Sequence, residues 1–361
     1  MNSTKRISPW AWVPTLYFAQ GIPYFIVNNI SVLMFAKMGV PNGEMALFTS
    51  LLYLPWTIKP FWSPFIDIIK TKRWWIISMQ ILMSIAFILL TLSIPKPDEA
   101  TIAAGTTPIS MFTITLVLFI ITAFASATHD IAADGFYMLA LKQSDQAAFV
   151  GIRSTFYRLA SIFGQGVLVA IAGAIELRNK DIPLSWTITM LVTAVMFSLV
   201  TFYHLFAMPK PTSDKSVLTP GTASAKAIFQ EFGRTFATYF TKPSVWLAIA
   251  FMLLYRLPEA FLIKMCMPFL VASKEAGGLE LSTAEVGIVY GTIGVIFLTV
   301  GGILGGLFAS RIGLKKSIWW MAACMTLPCL TFVYLAIGQP DNLFAISTAI
   351  AIEQFGYGFG F

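Results

Sequence analysis

The sequence carries little charge. Asp, Glu, Lys and Arg make up only 11% of its 361 residues, whereas a soluble domain carries about 25%. Hydrophobic residues make up 57% of the chain, and its abundant Phe and Trp side chains suit positions that face lipid or the membrane interface. Because too few charged side chains remain to coat a soluble surface, the composition excludes an ordinary soluble protein and predicts an all-α integral membrane protein.

Sequence motifs for cofactors, metals and nucleotides are also missing. The three cysteines lie in apolar runs without a CxxC spacing, and we expect Cys266, Cys324 and Cys329 to be small buried apolar side chains. The sequence has no Walker loop, no HExxH motif, no dinucleotide-binding motif and no serine-centred motif. We therefore expect no cofactor, no metal, no catalytic residue and no coupling to ATP. The net charge of +7 fits basic cytoplasmic loops better than a nucleic-acid partner.

Long apolar runs recur along the whole chain. Because about 20 apolar residues cross a bilayer, these runs predict about ten spans. The predicted spans are 11–36, 45–66, 74–94, 110–141, 147–175, 184–207, 244–272, 283–309, 317–337 and 343–361. The first run is too long for the apolar part of a signal peptide and lacks a small-residue cleavage site, so we expect it to be retained as span one.

Lys and Arg are distributed unevenly between the predicted loops. With the N-terminus inside, the inside segments hold Lys5, Arg6, Lys70, Lys72, Arg73, Lys142, Lys210, Lys215, Lys226, Arg234, Lys242, Arg311, Lys315 and Lys316, and the outside loops hold Lys37, Lys96, Arg178, Lys180 and Lys274. Cytoplasmic loops are enriched in Lys and Arg. This bias predicts a cytoplasmic N-terminus.

Two similar turns indicate an internal repeat. Residues 65–75 and 308–320 are both tight and basic, and both end in a Trp-Trp pair. Parallel repeats of six spans are the plan of major facilitator transporters. We therefore predict the major facilitator fold with two pseudo-symmetric six-helix bundles, the first at 1–207 and the second, apparently truncated to four spans, at 244–361. Since the chain ends inside the apparent tenth span, we expect it to be a fragment that lacks the last spans.

The predicted bundles are joined by the longest polar stretch. Residues 208–243 are rich in Pro, Ser, Thr and Lys and follow span six, so we interpret them as a cytoplasmic linker. Within the linker, 223–240 alternates Phe with charged side chains at helical spacing. That pattern predicts a short amphipathic helix on the membrane surface.

Spans four and five carry the densest group of charges. Asp130 and Asp134 are four residues apart and share a face of span four, while Arg153 and Arg158 lie at similar depth on span five. A charge at the bilayer centre is costly, so these groups need partners. One interpretation is a set of fixed salt bridges between the two spans. The other is that one carboxylate exchanges a proton during transport, because two neighbouring carboxylates in a low dielectric do not both stay charged. The choice between Asp130 and Asp134 stays open.

Polar and aromatic side chains also follow one face of span one, near Pro23. A proline leaves a helix carbonyl unpaired, and broken helices at mid-membrane are tolerated where they line a cavity, so we predict a broken span that lines a substrate path. Hydrogen bonding between helices is the alternative. The residues predicted to bind substrate are Tyr17, Gln20, Tyr24, Asn28, Trp56, Lys59, Gln165 and Tyr255, and those predicted to form ion pairs or gates are Asp67, Arg153, Arg158, Arg256 and Glu259. Lys59 suits an anionic substrate, unless it snorkels to the interface.

Three segments carry a family resemblance: 18–24 (FAQGIPY), 54–67 (LPWTIKPFWSPFID) and 127–134 (ATHDIAAD). They resemble the AmpG-type muropeptide permeases of the major facilitator superfamily, and the related acetyl-CoA transporter family looks similar over the same segments. The sequence departs from the family at Phe136 and Tyr137, where members commonly have an Arg soon after the second Asp of the 127–134 segment.

The resemblance implies a monomeric transporter in the bacterial inner membrane that imports anhydromuropeptides for peptidoglycan recycling, by proton symport. The family's paired acidic motif falls on Asp130 and Asp134. For a muropeptide cargo, Lys59 and Arg158 would meet the peptide carboxylates, and Tyr24, Trp56 and Tyr255 would stack on sugar rings, while Gln20, Asn28 and Gln165 would bind hydroxyls.

Two other functions fit the same residues. The acetyl-CoA relative indicates a transporter of acyl-CoA or another anionic solute. A membrane-embedded acyltransferase is the alternative of a different class, and its base would be His129, which lacks an evident partner motif.

Overall fold

The protein is all-helical. A computed structural model describes residues 7–215, 225–281 and 283–360, and no strand occurs among them. The chain forms two compact units, Met1–Phe232 and Gly233–Phe361, which we call unit 1 and unit 2. Within the described residues, 8 helices are long and apolar enough to cross a membrane.

Unit 1 contains the helices of the first six predicted spans. They are α1 (Pro9–Lys37), α2 (Asn42–Ile58), α3 (Ser63–Ile69), α4 (Lys72–Ser93), α5 (Glu99–Ala104), α6 (Ile109–Ala140), α7 (Gln143–Ile162 and Val169–Asn179) and α8 (Ile182–Ala207). A wider π-helical turn, Phe163–Leu168, joins the two parts of α7. Helix α9, Ala225–Phe240, crosses the boundary between the units and coincides with the predicted amphipathic segment, of which 223 and 224 lie outside the described residues.

Unit 2 contains four further helices. They are α10 (Val245–Val271), α11 (Thr283–Val286, Gly287–Gly294 and Val295–Ile312), α12 (Leu314–Thr326, Leu327–Cys329 and Leu330–Gly338) and α13 (Leu343–Gly360). All ten predicted spans therefore lie on helices.

Two of the ten predicted spans, 45–66 and 343–361, are not among the 8 helices that are long and apolar enough to cross a membrane. Helix α2 has only 17 residues and is interrupted by a tight turn at Lys59–Phe61 before α3 begins. Helix α13 is long enough but carries Glu353 and Gln354 near its middle, which lower its mean hydropathy. Both shortfalls come from polar or proline residues inside an otherwise apolar run.

The predicted break of span one at Pro23 is wrong. Helix α1 continues through Pro23 and instead widens into a π-helical turn at Ile26–Ile30. A proline costs one backbone hydrogen bond but keeps a helical φ angle, so a neighbouring helix can hold the segment in shape. Helix α7 packs closely against this part of α1, since a Cβ added at Gly21 would lie only 2.6 Å from the Cβ of Ala160.

The basic turn before α4 is anchored by the segment that follows α8. The Asp214 carboxylate accepts the backbone N–H of Lys72 at 2.7 Å and that of Arg73 at 2.9 Å. The Arg73 guanidinium in turn donates to the carbonyl of Leu205 at 2.8 Å, at the end of α8. A carboxylate at a helix N-terminus and a cation at a C-terminus both stabilise the helix dipoles. The turn therefore joins α4, α8 and the segment that follows α8.

Asp214→Ala is expected to lower the stability of unit 1. It leaves the first two N–H groups of α4, a buried one at Lys72 and a partly buried one at Arg73, without their acceptor, and an unsatisfied buried donor costs about 1–3 kcal/mol. The thermal unfolding midpoint of the detergent-purified protein measures the effect. Asp98→Ala is the control, because Asp98 accepts the Thr101 N–H at 2.8 Å at the start of its own short helix α5, at an exposed site where water can replace the lost acceptor. Equal midpoints for Asp214→Ala and the unmodified protein would contradict the prediction.

Candidate functional site

The candidate site lies in unit 1 on α6, where Asp130 and Asp134 are one helical turn apart. Three other elements bring partners to them. Helix α1 supplies Tyr17, the turn after α2 supplies Lys59, and α7 supplies Arg153. We call these five residues the α6 carboxylate site.

Asp134 is held firmly. Its Oδ1 accepts a hydrogen bond from Arg153 Nη2 at 2.7 Å and another from the Tyr17 hydroxyl at 3.1 Å. The guanidinium lies over the ring of Tyr17 at 4.4 Å and over that of Tyr137 at 4.5 Å. The Tyr137 hydroxyl donates to the backbone carbonyl of Gln146, which fixes that ring. Charge-assisted hydrogen bonds and cation–π contacts thus combine to keep Asp134 paired.

Asp130 is held loosely. Lys59 Nζ lies 3.9 Å from its Oδ2, beyond hydrogen-bond distance. Its Oδ1 is buried and has no hydrogen-bond partner among the described residues, and the same is true of the Trp56 indole nitrogen and the Gln20 amide oxygen. The side chains of Gln20 and Trp56 both face the Asp130 carboxyl. The two aspartates therefore differ: one is in a fixed ion pair and the other is nearly buried with a distant cation.

An aromatic wall stands beside Asp130. Tyr24 packs edge-on against Trp56 with ring centroids 5.2 Å apart and against Tyr53 at 6.3 Å. Tyr157 of α7 lies 6.4 Å from Tyr24. Tyr53 is half exposed, so the wall is accessible at one end. A hydroxyl-rich ring with apolar faces is a suitable ligand for such a surface.

A buried polar chain lies on another side of α6. The His129 ring is within 3.0 Å of the Gln80 amide, Gln80 is within 3.0 Å of His204, and His204 is within 2.9 Å of the Thr15 hydroxyl. His129, Gln80 and His204 have no solvent exposure. The chain joins α1, α4, α6 and α8. Sequence reasoning missed Gln80, although a lone amide in an apolar span is a signal for a partner between helices.

Several predicted substrate residues use their polar atoms elsewhere. Asn28 donates to the backbone carbonyl of Tyr24 at 3.0 Å, and Gln165 donates to Ser161 at 2.8 Å, each within its own helix. Arg158 lies on α7, half buried, five residues after Arg153. The side chain of Asp67 lies outside the described residues.

Unit 2 holds the remaining predicted residues. Arg256 donates to Glu259 Oε2 from Nη2 at 3.1 Å and from Nε at 3.3 Å, one turn apart on α10. The Tyr255 hydroxyl donates to the backbone carbonyl of Gly360 at 2.6 Å. In this conformation Tyr255 therefore joins α10 to α13.

Arg153→Ala is expected to destabilise unit 1 by about 1–3 kcal/mol, because it removes a partly exposed ion pair with Asp134 and two cation–π contacts. Arg153→Lys should recover only part of this loss, since an ammonium cannot reproduce the planar stacking of a guanidinium. Thermal unfolding in detergent measures both. The control is Lys37→Gln, which removes a comparably exposed ion pair with Glu176 at 3.4 Å but, among the described residues, no cation–π contact, and should change little. Equal stability of Arg153→Ala and Lys37→Gln would refute the prediction.

Long apolar helices that carry paired charges in their interior define a polytopic membrane protein of the transporter type. The chain belongs to the Major Facilitator Superfamily, whose profile it matches over residues 15–361. It is therefore a multi-pass membrane transporter of that superfamily.

Two proteins of that kind are similar in sequence to this chain over most of its length. The chain is 25% identical over 354 residues to the transporter AmpG 4 of Rickettsia conorii. The aligned region covers 96% of this chain and 78% of that relative. It is 25% identical over 352 residues to the anhydromuropeptide permease of Escherichia coli K12. That match covers 96% of this chain but 64% of the permease, so the chain spans less than two thirds of this relative's length.

A solved structure shares the fold. A bacterial homologue of the human lysosomal transporter Spinster, in its inward-facing and unoccupied conformation, superposes with a TM-score of 0.58 at 15% identity. The match covers 99% of this chain and 75% of that chain. At this identity the likeness supports the fold alone.

Proposed function

We propose that the protein imports anhydromuropeptides into the bacterial cytoplasm together with protons. The cargo assignment is supported by the likeness to the Escherichia coli anhydromuropeptide permease and by the AmpG-type segments of α1, α2 and α6. The protein acts as a transporter and not as an enzyme. His129, the residue an acyltransferase would use as its base, is fully buried and hydrogen-bonded to Gln80.

The proposal of proton coupling is supported by a difference between the two aspartates. Asp134 is engaged in an ion pair, with the Arg153 guanidinium at 2.7 Å. Asp130 has its cation at 3.9 Å and an oxygen without a hydrogen-bond partner among the described residues. A small movement of Lys59 would leave Asp130 as a buried carboxylate faced only by the neutral side chains of Gln20 and Trp56, and a buried carboxylate without a cation favours proton uptake. Asp130 is therefore the proton carrier, and Asp134 holds α6 to α7 and α1.

Cargo binding is assigned to the surroundings of Asp130. Lys59 has 39% of its side chain exposed and can exchange Asp130 for a carboxylate of the muropeptide peptide. Tyr24 and Trp56 form a wall against which a sugar ring can stack. A carboxylate that draws Lys59 away from Asp130 would favour protonation of Asp130. Cargo binding and proton binding would then support each other.

The wider arrangement follows the sequence pattern. We propose a monomer in the inner membrane with a cytoplasmic N-terminus, a first bundle at 1–207, a cytoplasmic linker at 208–243 and a second bundle beginning at 244. The excess of Lys and Arg in the inside segments supports the orientation.

Uptake into proteoliposomes tests the function. Labelled anhydromuropeptide should accumulate when an inward proton gradient is imposed and should only equilibrate without one. Unlabelled anhydromuropeptide should compete, while simple sugars and acyl-CoA should not. Competition by acyl-CoA alone would favour the acyl-CoA transporter instead, and formation of an acylated product without net movement of solute would favour an enzyme.

A further inference from the structure

Unit 2 has its own pair of buried carboxyl groups. Glu259 of α10 is 3% exposed and Glu353 of α13 is 4% exposed. Within the described part of unit 2, the cation that accompanies these two carboxyl groups is Arg256, which is bound to Glu259. We call these three residues the unit 2 cluster. The cluster thus contains two acids and one engaged cation, whereas the α6 carboxylate site contains two acids and two cations.

Glu353 is left with neutral or acidic neighbours. Its Oε2 accepts a hydrogen bond from the Gln354 amide at 2.8 Å, and it has no cationic partner among the described residues. The titratable groups that interact with it are Glu259 and Cys266 of α10, Tyr290 of α11 and Cys329 of α12. Tyr357, on α13 itself, accepts a hydrogen bond from Arg256 at 3.4 Å. The side chain of Lys264, on α10, lies outside the described residues.

The packing of α13 keeps Glu353 in this environment. Substituted Cβ atoms at Gly305 of α11 and at Gly358 of α13 would overlap the carbonyl oxygens of Phe359 and Leu298. A Cβ at Gly294 would lie 3.3 Å from Gln354 Cγ, so this glycine makes room for the side chain next to Glu353. Such close helix contact leaves α13 little freedom to turn Glu353 toward water.

We propose that Glu353 is a second proton-binding carboxyl group, protonated in this conformation and ionised in another state of the transport cycle. A carboxylate in an apolar interior costs several kcal/mol unless a cation or several donors compensate it, and here one amide donates. The reaction is proton exchange with water: the O–H bond of the acid breaks and a hydronium ion forms, and the reverse step restores the acid. The inference rests on proton-coupled transport by this chain but concerns a different carboxyl group, in unit 2.

Infrared spectroscopy tests the protonation state of Glu353 directly. Protein labelled with ¹³C at the glutamate side-chain carboxyl should show, at neutral pH, the shifted C=O stretching band of a protonated glutamic acid. The band should be missing in Glu353→Gln and unchanged in Glu280→Gln, which alters an exposed loop glutamate. A spectrum of the labelled protein without this band would overturn the proposal, and so would a band that persists in Glu353→Gln.

Transport assays test the role in coupling. Glu353→Gln keeps the shape of the side chain but cannot ionise, so it should lose accumulation driven by a proton gradient while counterflow of labelled cargo remains as in the unmodified protein. Undiminished gradient-driven accumulation by Glu353→Gln would overturn the role. If the unmodified protein itself shows no gradient-driven uptake, the proposed function fails, whereas the infrared band still decides the protonation of Glu353. If Glu353→Gln does not fold, the infrared spectrum of the labelled unmodified protein still decides, because the absence of the protonated-acid band overturns the proposal.

Discussion

Asp130→Asn is expected to abolish the accumulation of cargo that an inward proton gradient drives, and to leave counterflow of cargo intact. An asparagine fills the same space and can still face Gln20 and Trp56, but it cannot bind or release a proton. The gradient then has no means of acting on the transport cycle, so uptake should fall to the level reached without a gradient. Exchange of cargo needs no change in protonation, because the variant behaves as a permanently protonated carrier.

Asp134→Asn is the matched control, one turn along the same helix. It removes a carboxylate that Arg153 and Tyr17 both bind, so it should lower thermal stability and yield, while the protein that folds retains a response to the proton gradient. The double variant Asp130→Asn, Asp134→Asn should show neither accumulation nor normal stability. Undiminished gradient-driven uptake by the double variant would contradict the assignment of the proton carrier to this site.

Gly305→Ala is expected to destabilise unit 2 severely. The added Cβ would overlap the backbone carbonyl oxygen of Phe359 on α13, and a backbone atom cannot move aside as a flexible side chain can. Overpacking costs about 1–3 kcal/mol and more where the backbone must shift. The thermal unfolding midpoint and the fraction of monodisperse protein in detergent measure the loss.

Gly306→Ala provides the control at the adjacent residue. Gly306 is exposed, and a Cβ there would meet nothing within 4 Å. Alanine is the better helix former by about 1 kcal/mol, so Gly306→Ala should be neutral or stabilising. If both variants unfold at the same temperature, close packing of α11 on α13 is not what holds unit 2 together.

The course of the chain could be predicted from the sequence because it depends on local properties. Length and hydropathy locate a span whatever its neighbours are, so each predicted span lies on a helix. The outcome at Pro23 could not be predicted, because a proline permits both a break and a continuous helix. Contacts with α7, such as that between Gly21 and Ala160, decide between them.

The site was predictable only in part, and for a similar reason. Arg153 and Asp134 are close in sequence and joined by a short turn, which fixes their relative depth. Lys59 and Asp130 belong to elements far apart in the chain, and their contact depends on how each helix is rotated about its axis. The chain from His129 through Gln80 to His204 depends on three such rotations. Spacing alone does not contain that information.

Proton movement that depends on cargo is the decisive test of proton-coupled transport. Proteoliposomes loaded with a pH indicator, with equal pH on both sides and a membrane potential clamped at zero, are given anhydromuropeptide on the outside. We expect the lumen to acidify as cargo enters, and Asp130→Asn to take up cargo without acidification. Entry of cargo into liposomes of the unmodified protein with no change in luminal pH would contradict proton-coupled transport.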